Sequence, residues 1–203
     1  MAKKTIVTIG RTSGSGGATI GKKLAEALGW DFYDKELLKE AAKESGLCES
    51  ILESLDEKPK SLLYSLVMDP YSTHALISSP YNNLELNASS AIFDAIKKAA
   101  EKGPCVIVGR CADYALRDNE AVLNVFIHAP TEFCIERVQK KYGCSEEEAR
   151  ETIRKTNKQR SAYYNYYSSN KWAELASYHL CMDSSVLGLE GTVDFLVDFL
   201  SKT

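Results

Sequence analysis

Apolar positions along this chain follow two rhythms that take turns. Short continuous runs, Ile6-Val7-Thr8-Ile9, Cys105-Val106-Ile107-Val108 and Ala121 to His128, are rich in β-branched residues. That is the pattern of strands buried on both faces. Trp30-Asp31-Phe32-Tyr33 and Tyr178 to Met182 are shorter and read the same way. Between these runs the apolar spacing changes to three and four. Ile20, Leu24 and Leu28 share one helical face, with Gly29 just past its end. Asp34 reads as the N-cap of a helix from Lys35 to about Ser45. Further helices are expected from Leu84 to about Glu101, from Pro130-Thr131 to about Lys141, from Ser145 to about Arg160, and from about Glu190 onward. Five strands alternating with helices predict an α/β fold, with a parallel sheet, helices on both faces and right-handed crossovers.

Two stretches depart from the alternation. Cys48 to about Met68 reads as one or two helices carrying Leu52, Leu55, Leu62, Leu63 and Leu66, broken at Pro59. Asp69 to Asn83 reads as loop, and together they form an insert between the second and third strands. Near the other end, Tyr163, Tyr164, Tyr166 and Tyr167 precede Trp172. Aromatics this dense either stack a nucleobase or pin their helix to the core, and pinning is the favoured reading.

The chemistry concentrates between the first strand and the first helix. Gly10 to Gly17 is a small-residue loop, and strand, glycine-rich loop and helix together make a phosphate site. Glycines let backbone N–H groups approach an anion, and the helix N-terminus adds a positive dipole end. The consensus for such a loop is G-x-x-x-x-G-K-[ST]. Here Gly16 stands on the second glycine, but Arg11 falls on the first, Gly17 on the lysine and Ala18 on the Ser/Thr, with Thr19 one place later. The loop therefore keeps the cradle of Ser13, Gly14, Ser15, Gly16, Gly17, Ala18 and Thr19 without the lysine that carries charge to transferring phosphates. Arg11 lies in the loop and is the better substitute, since Lys22 and Lys23 sit at least a turn into the helix. Thr19 is the hydroxyl best placed to ligate Mg²⁺. Arg110, at the end of a central strand, is poised for bidentate binding of a phosphate or carboxylate, the alternative being an ion pair with Asp113 or Asp118.

The block R-T-S-G-S-G-G-A-T-I-G-K-K-L-A-E-A-L-G with F-Y-D-K-E-L, the block C-V-I-V-G-R-C-A-D-Y-A-L, and R-S-A-Y-Y-N-Y-Y with Y-H-L-C-M-D-S-S resemble the bacterial cytidylate kinase-like family, a lysine-lacking branch beside the nucleoside monophosphate kinases. The resemblance spans nearly the whole chain and is weakest over about 47–86. It implies a three-layer P-loop NTPase fold with strand order 2-3-1-4-5. It also implies one kinase domain over 1–203, with an acceptor-binding helical insert at about 47–86 and a lid at about 145–172. By the same resemblance the chain is an ATP-dependent phosphotransferase using Mg²⁺ with ATP and a CMP-like or other small acceptor held by Asp34 and Arg110. Lid arginines, Arg154 and Arg160, would join Arg11 in neutralising the transferring phosphoryl group, although a solvated charged face explains them as well. The family pattern has an acidic residue where Asn157 stands. The reading from a different class is a nucleotide-binding regulator with little or no catalysis, which the missing lysine supports.

Composition narrows the setting. A 203-residue chain with 44% hydrophobic and 26% charged residues has an ordinary globular balance. The net charge of −3 gives no sign of a nucleic-acid binder. Six cysteines without a C-x-x-C pair, and three scattered histidines, lack metal-ligand spacing. No apolar run reaches membrane-spanning length, and no signal peptide is seen, so a cytoplasmic setting is expected. The leucine-rich insert and the tyrosine cluster are candidate homodimer surfaces.

Overall fold

The computed structural model describes residues 3–34, 36–37, 40 and 80–203; between 80 and 88 it describes the backbone alone. Strands β1 (Ile6–Arg11), β2 (Asp31–Tyr33), β3 (Cys105–Val108), β4 (Val122–His128) and β5 (Leu180–Asp183) form one sheet in the order β2-β3-β1-β4-β5. Every pairing is parallel. This is the order the resemblance implied. β1 lies at the centre, pairing Ile6 with Cys105 on one side and with Val122 on the other.

That shared register aligns the side-chain alternation of the three central strands. Val7, Ile9, Val106, Val108, Val125 and Ile127 enter one core with Ile20 and Leu24 of α1 (Gly17–Leu28) and Leu196 of α6 (Ser184–Ser201). Ile6, Cys105, Ile107 and Val122 enter another, with Ile92, Ile96 and Ala99 of α2 (Pro80–Lys102) and Ala112 and Ala115 of the short α3 (Ala112–Ala115). The sheet is thus covered on both faces, which is why its strands read as continuous apolar runs. Val7 and Val106 are fully buried, and each such side chain contributes roughly 1.5–3 kcal/mol of transfer free energy.

Helix ends follow local chemistry. α1 stops at Gly29, whose φ of 66° lets the Trp30 N–H return to the Ala25 carbonyl at 2.9 Å. α5 (Glu146–Tyr167) opens with the expected capping box: the Glu148 N–H donates to Ser145 Oγ at 3.2 Å, and the Ser145 N–H donates to Glu148 Oε2 at 2.8 Å. Its first turns pack on α4 (Thr131–Tyr142) through Cys134, Ile135, Val138, Ala149 and Ile153.

Several boundaries differ from the sequence reading. α5 runs on to Tyr167 rather than ending near Arg160, because Tyr163 and Tyr164 supply a buried inward face to its last turns. α2 starts at Pro80, four residues before Leu84, so the expected loop at 80–83 is helical; proline suits a first helical turn. The final helix begins at Ser184, capped by Asp183, and is interrupted at Gly188 (φ 69°, ψ −175°), so only its second segment matches the expected start near Glu190. Residues 47–79 of the insert, including Cys48, and most of the helix expected from Lys35 lie outside the described residues. No helix among the described residues is long and apolar enough to cross a membrane.

Candidate phosphoryl-transfer site

The loop that leaves β1 is held from beneath by distant parts of the chain. The Thr12 N–H donates to the Ile127 carbonyl at 3.0 Å. The buried Ser15 hydroxyl lies 2.9 Å from the Thr12 carbonyl and 3.1 Å from that of Ile127. Ser184 Oγ donates to the Ser15 carbonyl at 2.6 Å. Gly14 and Gly16 both have φ of 84°, and a Cβ on Gly14 would stand 2.6 Å from Cys134 Cβ. The loop therefore has one shape, set by close backbone contact that a side chain would block.

Gly16 caps α1 with no side chain of its own, and the Gly17 N–H donates to Ser15 Oγ at 3.4 Å, leaving the next N–H groups of the helix at its open end. They border an open hollow of about 1040 Å³ lined by Arg11 to Gly14, Gly16 to Thr19, and the cations Arg137, Lys140, Lys141 and Arg160. Positive side chains, helix dipole and backbone donors together suit this hollow to a polyanion. Ala18 and Thr19 are exposed at its rim.

At Gly17 there is no room for the missing lysine. A Cβ there would fall 2.6 Å from Arg11 Cβ and 3.2 Å from its Cγ. The stem of Arg11, standing on the first consensus glycine, occupies the volume beside the place where the lysine would begin. The two departures from the consensus are one packing event.

A second hollow lies at the carboxyl ends of β1 and β3, lined by Gly10, Arg11, Gly109, Arg110, Asp113, Arg160, Tyr163, Tyr164, Trp172 and Tyr178 among others. Arg11 and Arg160 line both hollows. Gly109, Arg110 and Cys111 are all left-handed, with φ of 80°, 61° and 54°, a turn that costs on the order of 1–3 kcal/mol at each non-glycine position. It carries the chain from β3 into α3 and buries Arg110 to 4% exposure. Burial lowers the Arg110 pKa to about 10; Tyr163 and Asp34 oppose the shift, while Arg11 and Arg160 add to it. Three guanidinium groups thus converge where Asp34 is near enough to act on Arg110, an arrangement that favours an anion between them.

Asp113 and Asp118 have other engagements. Asp113 accepts the Tyr164 hydroxyl at 2.5 Å, its carboxyl pushed up by burial, and Asp118 lies 3.7 Å from Arg117. The tyrosines pin α5: Tyr163 and Tyr164 are buried with Cys111 against Tyr114, Tyr167 and Trp172. Tyr166 stays half exposed.

The remaining candidates separate. Arg160 Nη1 donates to the Arg11 carbonyl at 3.3 Å. Arg154 instead makes a two-point contact with Glu151, 2.8 Å for each hydrogen bond, on the exposed side of α5, and lines neither hollow. Three features escaped the sequence reading. Arg137, Lys140 and Lys141 bring a cationic edge from α4, and their spacing of three and four was its signal. Ser184 supports the loop, and Asn157 Oδ1 accepts the Ser13 N–H at 2.7 Å. Among the described residues no group of His, Cys, Asp or Glu could hold a metal ion by itself.

Known proteins resemble this chain over most of its length. A cytidylate kinase from Methanopyrus kandleri is 28% identical over 189 residues, covering 89% of this chain and 84% of that protein. A cytidylate kinase from Pyrococcus horikoshii is 30% identical over 190 residues, covering 93% and 84%. A crystal structure of an uncharacterized protein from Eubacterium ventriosum superposes with a TM-score of 0.74 at 27% identity, over 98% of this chain and 100% of that one. The model of the cytidylate kinase-like family matches residues 6–186, from the first strand into the first turn of the last helix, and on that match the chain belongs to the cytidylate kinase-like family.

Proposed function

We propose that this nucleotide kinase transfers the γ-phosphoryl group of ATP to a nucleoside monophosphate, CMP or one like it. The observation that carries the reading is the convergence of Arg11, Arg110 and Arg160 at the junction of two hollows. ATP phosphates would lie on the loop from Ser13 to Thr19, and the acceptor phosphate near Arg110 and Asp34. An acceptor phosphate oxygen attacks the γ-phosphorus. A new P–O bond forms as the bond to the β,γ-bridging oxygen breaks, and ADP leaves with that electron pair. The chain's part is to align the reactants and neutralise charge. Arg11 and Arg160, common to both hollows, act on the group in transit.

A divalent ion would supply further charge neutralisation on the phosphates. The described residues fit one that arrives with ATP: Thr19 offers a single hydroxyl at the rim of the loop hollow. The free thiols of Cys105, Cys111, Cys134, Cys144 and Cys181 suit a reducing, cytoplasmic setting.

Gly17 in the lysine's place favours a second reading, a nucleotide-binding regulator without turnover. ATP consumption measured with CMP, other nucleoside monophosphates and small hydroxyl metabolites, with and without Mg²⁺, separates the two. Mg²⁺-dependent turnover with a nucleoside monophosphate is the expected result. ATP binding without turnover on any acceptor would establish the regulator instead.

A further inference from the structure

Two side chains of α5 reach the backbone of the phosphate loop. Asn157 Oδ1 accepts the Ser13 N–H at 2.7 Å, and Arg160 Nη1 donates to the Arg11 carbonyl at 3.3 Å. Residues three apart share one face of a helix, so these contacts form a two-point clasp. They take backbone groups at the point where the chain leaves β1, next to Thr12, whose own N–H goes to the Ile127 carbonyl.

The helix that makes the clasp is fixed on either side of it. Its first turns are capped and packed on α4, and its last turns are pinned by Tyr163 and by the Tyr164–Asp113 hydrogen bond. The loop and α5 are therefore set against each other in one register. Arg160, which lines both hollows, depends on that register for its place.

We propose that Asn157 is a positioning residue for phosphoryl transfer: by holding the Ser13 N–H it locks the start of the loop to α5 and keeps Arg160 at the junction of the two hollows. A neutral amide suits this task. An alkyl side chain would leave the Ser13 N–H without its acceptor. A carboxylate would accept the same bond but bring negative charge beside the loop, where it would repel the donor's phosphates and compete for Arg160 one turn away.

The inference rests on the kinase reading, so its test reads the clasp separately from turnover. Exchange of the Ser13 amide, followed by NMR, reports the hydrogen bond itself. Asn157→Ala should speed that exchange and lower kcat about tenfold, with ATP affinity by calorimetry within about threefold of the parent. Asn157→Asp should keep the amide protected but raise KM for ATP about tenfold at low ionic strength, with the difference closing as salt screens the carboxylate. Both proteins should melt within about 2 °C of the parent, since Asn157 is half-buried and outside the core. Unchanged Ser13 exchange in Asn157→Ala would overturn the clasp. Unchanged kcat in that variant, or identical behaviour of the Ala and Asp variants, would overturn the positioning role. A parent protein that binds ATP without turnover would sink the kinase reading while leaving Ser13 exchange to decide the clasp.

Discussion

Arg11 and Gly17 are best understood as a pair. Because Arg11 Cβ stands 2.6 Å from where a Gly17 Cβ would be, Gly17→Lys should not restore a consensus loop. It should destabilise the fold by about 1–3 kcal/mol through overpacking, and turnover should not rise. Arg11→Gly in the same chain removes the obstruction, so the double variant should recover most of that stability; purely additive effects in urea unfolding would show that the two side chains share no volume. Arg11→Ala should keep the fold and lower kcat by about 100- to 1,000-fold, the scale for losing one positioned charge contact. Near-parental turnover in that variant would remove Arg11 from the mechanism. Arg110 is the other informative residue. Burial works against its charge, so the free protein carries a cost that a bound anion offsets. Inorganic phosphate or CMP should raise the melting temperature of the parent, and Arg110→Met should abolish that shift while leaving the melting temperature of the free protein equal or higher.

At the scale of elements, what was legible depended on whether local pattern or tertiary contact set the boundary. Val106 to Val108, and Val122 to Ile127 apart from Asn124, were readable because strands buried on both faces read as near-continuous apolar runs. Ser145 declared the start of α5 through its box with Glu148. The end of α5 was not readable, because Tyr163 and Tyr164 are helical for the sake of a contact with Asp113 and Cys111 some fifty residues away in sequence. α3 was missed for a similar reason: it follows two left-handed non-glycine residues that no propensity favours. In the site, the loop from Ser13 to Thr19 could be read from its glycines, whereas Asn157, Ser184 and Arg137 reach it only through the fold. The break at Gly188 makes Asp183 the cap of a short leading segment of α6. Its carboxyl is held below the usual range by hydrogen bonds from the Ser185 hydroxyl and N–H. The folded pKa is the lower one, so this cap stabilises above the ordinary carboxylate range and is lost as pH falls through it. Asp183→Ala should cost about 1 kcal/mol at pH 7 in thermal unfolding. The difference from the parent should shrink below about pH 4, and a gap that held constant to acid pH would rule the cap out as its source.

Taken whole, the molecule has a central strand with a hollow on either side of the residue that ends it. Arg11 and Arg160 border both, so on the proposed reading ligands in the two hollows would bring their phosphates to the same pair of cations. A bisubstrate analogue that joins adenosine to a pyrimidine nucleoside through a polyphosphate should therefore raise the melting temperature more than saturating ATP and CMP together, because linking the two halves removes the second association cost. Equal shifts would place the two sites too far apart to share phosphates. The supports of the loop have a further consequence, one of timing. Ser15 is built before the residues that hold it: its hydroxyl waits for Ile127, 112 residues on, and its carbonyl for Ser184, 169 residues on. Asn157 and Arg160 arrive 144 and 149 residues after the loop groups they hold. Contacts this distant form only after the intervening chain exists. On the ribosome, the glycine loop emerges before its supports and is among the last parts to take its shape, so a nascent chain that stops short of Ser184 should carry the glycines of the candidate site without its grip.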